Sequence, residues 1–76
     1  MSEPTLGQRR VRLSFNPSTD TNVDVIKKCT ADLIDVCEDL KTQARGDSET
    51  LRLLALAQTH YEDAAMWAVK AATAGK

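Results

Sequence analysis

Lys28 and Thr30, the single phenylalanine Phe15 beside Asn16-Pro17, and the basic side chains Arg9, Arg10, Arg12, Lys27 and Lys70 are the groups here with chemistry to offer. A lysine donates to phosphate as a point charge, and an aromatic on a movable arm suits stacking on a nucleobase. Phe15 has a plainer use as well, because an apolar residue ahead of a helix often plugs its end. Lys28 and Thr30 lie two apart, about 200° around a helix. If both contact ligands, they imply two different pockets, or pockets shared between chains. No bond-breaking set accompanies them. His60 is the single histidine, so a four-ligand zinc site within one chain is disfavoured. Cys29 and Cys37 are ~12 Å apart along a helix, too far for a disulfide, and both read as small buried hydrophobes. The eleven carboxylates read as solvated helix surface. No catalytic residue, metal site or cofactor is expected.

The elements that must hold these groups fall into three pieces. Residues 1–22 form an N-terminal arm, loosely ordered to about residue 8. An extended stretch over Arg10–Phe15 follows, then a turn at Asn16-Pro17-Ser18, where Pro17 disfavours helical geometry at Asn16. Thr21 or Asn22 caps the next element, with Asp24 near the positive end of its dipole. Residues 23–76 form a helical hairpin. Its first helix, about 23–44, presents Ile26, Cys29, Leu33, Val36 or Cys37, and Leu40 in steps of three and four. Gly46 breaks the pattern, and Asp47 or Ser48 caps a second helix over about 48–73. That helix carries Leu51, Leu54, Gln58, Tyr61, Ala65, Ala68 and Ala72 on one stripe. So short a connection predicts an antiparallel all-α hairpin, pairing positions whose numbers sum to about 92.

A second stripe, Leu53, Leu56, Ala57, Ala64, Trp67 and Ala71, exceeds what one partner helix can cover. It is either a wide core face or, the preferred reading, an interface of a compact homo-oligomer. A chain of 76 residues allows one domain, and domains of this size bury only ~60% of their unfolded surface. Trp67 reads as a packing anchor, and His60 and Tyr61 as core-edge residues.

Ten basic side chains against eleven acidic leave a net charge of −1, which argues against a binder of DNA or RNA polymers. The apolar runs are too short for a membrane span or an export signal, which places the chain in a cytoplasm. The hairpin's open half, 1–28 with 62–76, holds seven positive and five negative side chains, and the turn half three and six. That corner is suited to phosphate, or is ordinary surface charge.

The segments RVRLSFNPS from Arg10, VDVIKKCTADLIDVCEDL and LALAQTHYEDAAMWAVKAAT resemble the small phage hairpin proteins of the anti-CBASS cyclic-nucleotide sponge family, a domain shared with some anti-Thoeris sponges. The resemblance covers residues 10–73. It implies a helical hexamer that binds cyclic oligonucleotides of bacterial immunity in the cytoplasm of the infected host, without cleaving them. Lys28 and Thr30 match the family's lysine and threonine two apart. The resemblance implies that Lys28, with Phe15 as the arm aromatic, Arg12 as a second stacking candidate and the adjoining Asn16, holds cyclic dinucleotides. It implies that Thr30 and Lys70 hold cyclic trinucleotides, Lys70 standing where other members carry arginine. Phe15 lacks the hydroxyl of the tyrosine found in some members. The competing expectation is a small helical phage regulator that docks a host protein through its apolar face.

Overall fold

The computed structural model describes residues 3–17 and 19–75. Ser18, the last residue of the expected turn, and Lys76, one of the charges assigned to the open half, lie outside them. All regular structure among the described residues is helical: α1 (Leu6–Val11), α2 (Thr21–Gln43) and α3 (Ser48–Thr73). Helices α2 and α3 form an antiparallel hairpin. Gln58 Nε2 donates to the Ile34 carbonyl at 3.1 Å, so the two helices pair in the expected register.

The hairpin turn follows from local chemistry. Arg45 and Gly46 both take positive φ, 52° and 81°, a region that glycine enters without a Cβ penalty. Asp47 then caps α3 by accepting from the Glu49 N–H at 3.2 Å. At the start of α2 the cap is Asp20, which accepts from the Asn22 N–H at 2.8 Å. The expected cap at Thr21 or Asn22 is thus one or two residues late. An aspartate carboxylate simply reaches the exposed N–H groups from one position earlier.

The arm is a correction. In place of a loose course up to residue 8 and an extended Arg10–Phe15 stretch, the chain makes a short helix, α1; Met1 and Ser2, also part of the expected loose start, lie outside the described residues. Thr5 and Gln8 form a reciprocal capping box: the Thr5 hydroxyl accepts from the Gln8 N–H at 3.1 Å, and Gln8 Oε1 accepts from the Thr5 N–H at 3.0 Å. The far end is a Schellman motif, with Arg12 left-handed at φ 56° and the Leu13 N–H reaching the Gln8 carbonyl at 2.9 Å. Six residues do not hold a helix unaided. Contact with α2 supplies the rest, since a Cβ on Gly7 would fall 2.1 Å from the Ala31 carbonyl oxygen.

That docking also changes which face of α2 is buried. The buried residues are Val23, Lys27, Ala31, Ile34 and Cys37. Of the expected stripe only Ile26 and Cys37 turn inward; Leu33, Val36 and Leu40 are exposed, and so is Cys29, contrary to its reading as a buried residue. Apolar residues occupy two adjacent stripes, and periodicity cannot choose between them. The one facing both α1 and α3 is buried. On α3 the stripe through Gln58 and Ala65 faces inward, while Leu53, Leu56 and Trp67 stay exposed.

The core is small: Val11, Ala31, Ile34 and Ala65, with Leu6, Leu13, Ile26 and Tyr61 against them. The molecule measures 45 × 29 × 12 Å, so its thinnest dimension is about one helix diameter. Among the described residues there is one layer and no second one to cover it.

Candidate functional site

The segment between α1 and α2, residues 12–20, carries three of the expected site residues and is fastened to α2 at two points. The first is Lys27, buried at 6% exposure. Its ammonium donates to the Arg12 carbonyl at 2.9 Å and also to the Phe15 carbonyl. The left-handed turn at Arg12 brings that carbonyl round, and the Phe15 N–H donates to the same oxygen at 2.9 Å. The second fastening is Asn16, whose side-chain amide donates to the Asp20 carbonyl at 2.8 Å and to Asp24 Oδ1 at 3.0 Å. The Thr19 N–H donates to the Asn16 carbonyl at 3.1 Å, closing the turn.

So held, Phe15 is 57% exposed. Two cations flank its ring: Lys27 Nζ lies 5.4 Å and Arg12 Cζ 5.8 Å from the centroid, both within cation–π range. Burial, and then the Arg12 guanidinium, pull the Lys27 ammonium below the ordinary lysine pKa, and Asp24 opposes them. The arrangement suits an electron-rich ring system bearing phosphate, with a plate to stack on and positive charge beside it.

Two grooves meet at Lys27. One, of about 610 Å³, runs between the end of α1 and α3 past Arg10, Arg12, His60, Met66 and Val69. On its wall Arg10 Nε pairs with Glu62 Oε1 at 2.9 Å. The other, of about 260 Å³, lies under the loop between Phe15, Asn16, Val23, Val69 and Thr73. Arg12, Phe15 and Asn16 therefore gather at one corner of the molecule. Lys28, Thr30 and Lys70 line neither groove.

Those three each have a local partner. Lys28 is exposed and meets Asp32 at 3.2 Å, a surface pair of adjacent turns that a ligand displaces at little cost. Thr30 donates its hydroxyl proton to the Ile26 carbonyl at 2.7 Å. Its oxygen can still accept, but phosphate needs a donor. Lys70 lies 5.2 Å from the Trp67 ring centroid.

Sequence reasoning missed Lys27, counted only as one charge among several. The signal was its place in the spacing Val23, Lys27, Ala31, Ile34, the face that is buried. It also missed Gly7 and Asp35, which dock α1 through a 2.7 Å bond from the Gly7 N–H to Asp35 Oδ1. Among the described residues no group of three or more His, Cys, Asp or Glu side chains converges as a metal site would require, and no helix is long and apolar enough to cross a membrane.

The family model of the Acb2/Tad1 hairpin domain matches residues 7–73, which takes in the docked α1, the loop and both long helices. No curated protein and no solved structure gives a significant match.

Proposed function

The chain belongs to the Acb2/Tad1 hairpin family, and from that membership we propose a phage-encoded, non-enzymatic sponge for cyclic oligonucleotide immune signals, acting in the cytoplasm of the infected bacterium. It holds the signal intact and away from its effector. The observation that carries this reading is the Phe15 plate, exposed, flanked by Lys27 and Arg12, and presented on a loop already fastened to α2. A cyclic dinucleotide has two bases to stack and two phosphates to neutralise. Phe15, Arg12 and Asn16 belong to the base side of the proposed pocket, and Lys28 from two chains to the phosphates.

We assign the cyclic trinucleotide role to Thr30 and Lys70. Thr30 would turn its hydroxyl from the Ile26 carbonyl to a phosphate, and Lys70 would supply a point charge rather than a bidentate fork. Both pockets are proposed to lie between protomers of a homo-oligomer, a hexamer. Two features support the assembly: the slab is one helix thick, and Leu33, Val36, Leu40, Leu53, Leu56 and Trp67 are exposed on it. Exposed apolar side chains grouped into a patch mark a surface for association.

Isothermal titration with 3′,3′-cyclic GMP–AMP, followed by chromatography of the heat-denatured complex, tests the reading. Saturable binding and recovery of intact ligand are expected. Recovery of a linear product would replace the sponge with a phosphodiesterase. The same exposed apolar residues favour a second reading, a regulator docking a host protein. Under it Trp67→Ala abolishes activity while Lys28→Ala leaves it nearly intact; the sponge reading requires Lys28.

A further inference from the structure

Lysine is among the residues least often buried without an ionic partner. Lys27 is 6% exposed, and among the described residues no carboxylate forms a salt bridge with it. Leucine or methionine would fill the same slot without desolvating an ammonium. What those residues cannot do is donate to the carbonyls of Arg12 and Phe15. Two of the three N–H donors are thereby occupied, whereas the neighbouring Lys28 is exposed and free of such a task. Adjacent lysines, about 100° apart around α2, thus differ in surroundings: Lys28 is exposed, and Lys27 is buried against the loop backbone.

The loop they border has reason to need a fastening. Arg12 and Thr19, near its two ends, hold φ of 56° and 54°, a region non-glycine residues enter only when the surroundings impose it. We propose that Lys27 is a positioning residue for the Phe15 plate: by bridging the carbonyls of Arg12 and Phe15 it holds the loop in its binding geometry before ligand arrives. This inference rests on the sponge reading for the ligand. Lys27 acts through Phe15 and touches no phosphate itself.

The size of the effect follows from the fraction of loops in the competent form. Apparent affinity falls by that fraction, so a released loop competent about 1–10% of the time weakens binding about 10–100-fold. Phe15 is the single phenylalanine of the chain, so 4-fluorophenylalanine incorporation gives one fluorine resonance that reports the plate alone. In the ligand-free wild type a dispersed, sharp signal is expected. In Lys27→Met it moves toward the random-coil position and broadens, with far-ultraviolet helicity retained. Titration with 3′,3′-cyclic GMP–AMP should show the 10–100-fold loss. In a Phe15→Ala background the same Lys27→Met change should cost less than about 3-fold, because there is no plate left to position.

An unchanged fluorine spectrum in Lys27→Met overturns the proposal. So does equal loss in both backgrounds, and so does loss of helicity, which would make Lys27 a support of the fold rather than of the plate. A wild type that binds no cyclic nucleotide sinks the sponge reading instead, and the ligand-free spectra still decide whether Lys27 pins the loop.

Discussion

A methyl group on Gly7 would stand 2.1 Å from the Ala31 carbonyl oxygen, 2.8 Å from its carbonyl carbon and 2.9 Å from its Cα. All three atoms are backbone in the middle of α2 and cannot yield. A carbon normally approaches a carbonyl oxygen to ~3.3 Å, so in Gly7→Ala helix α1 must retreat by about 1.2 Å. The bond from the Gly7 N–H to Asp35, 2.7 Å in the parent, would then open beyond hydrogen-bonding distance. A bond to a charged acceptor contributes about 1.5–3 kcal/mol, and loosening Val11, the buried last residue of α1, adds about 1 kcal/mol. Against this, alanine gains ~1 kcal/mol over glycine in helix propensity. The net is roughly 2 kcal/mol against docking. If α1 opens locally, hydrogen–deuterium exchange over residues 6–13 should accelerate about 30-fold. If it melts with the whole, the midpoint should fall by about 8–16 °C. A Gly7→Ala protein equal to the parent or more stable, with α1 protection intact, would mean that α1 does not sit on Ala31.

Phe15→Ala should weaken cyclic dinucleotide binding about 5–150-fold, the range for one lost stacking contact, without changing thermal stability, since Phe15 is more than half exposed; calorimetry and a melt on the same sample check both. Lys28→Ala should also weaken binding and flatten its salt dependence, yet alter stability by less than about 0.5 kcal/mol, because the Asp32 pair it loses is exposed. Gln58→Met should leave stability within about 1 kcal/mol of the parent in urea titration. It gives up bonds to the Ile34 carbonyl and to Glu38 Oε1, and it also removes a buried, unpartnered Oε1, whose desolvation is costly in itself. The Glu38 carboxyl is held below the ordinary glutamate pKa first by that Gln58 amide and further by Lys41, against partial burial. Its contribution to stability is therefore complete above the unfolded value and lost as pH falls through the lower folded one. Gln58→Met should raise the Glu38 midpoint in an NMR titration, and an unmoved midpoint would refute the assignment.

The hairpin was readable because two long segments carry a strong helical period and Gly46-Asp47 punctuates them. What the period could not rank were the two apolar stripes of α2, since Leu33 and Ile34 are neighbours of equal hydrophobicity. The choice is made by α1, and α1 was itself hidden. Thr5-Leu6-Gly7-Gln8 does spell a capping box, but a six-residue helix owes its existence to a contact 24 residues away, Gly7 on Ala31, which no local pattern contains. The site was legible in residue type and not in arrangement. Arg12, Phe15 and Asn16 do share a corner, yet both side-chain N–H groups of Asn16 are spent on Asp20 and Asp24. That makes Asn16 a fastening of the loop as much as a ligand contact.

The route from core to plate is then a single mechanical chain. Gly7 lets α1 lie against α2, and the Schellman turn at its end forces Arg12 left-handed. The left-handed turn aims a carbonyl at Lys27, whose second bond fixes Phe15. A perturbation at either end should be felt at the other: Gly7→Ala, ~2 kcal/mol against docking by the estimates above, should blur the Phe15 fluorine signal as Lys27→Met does, although what Gly7 packs against is the Ala31 backbone. A Gly7→Ala protein whose α1 is demonstrably loosened while the Phe15 resonance keeps its position and width would break that chain at Arg12, and would leave the Lys27 clamp and the Asn16 clip sufficient by themselves to hold the plate.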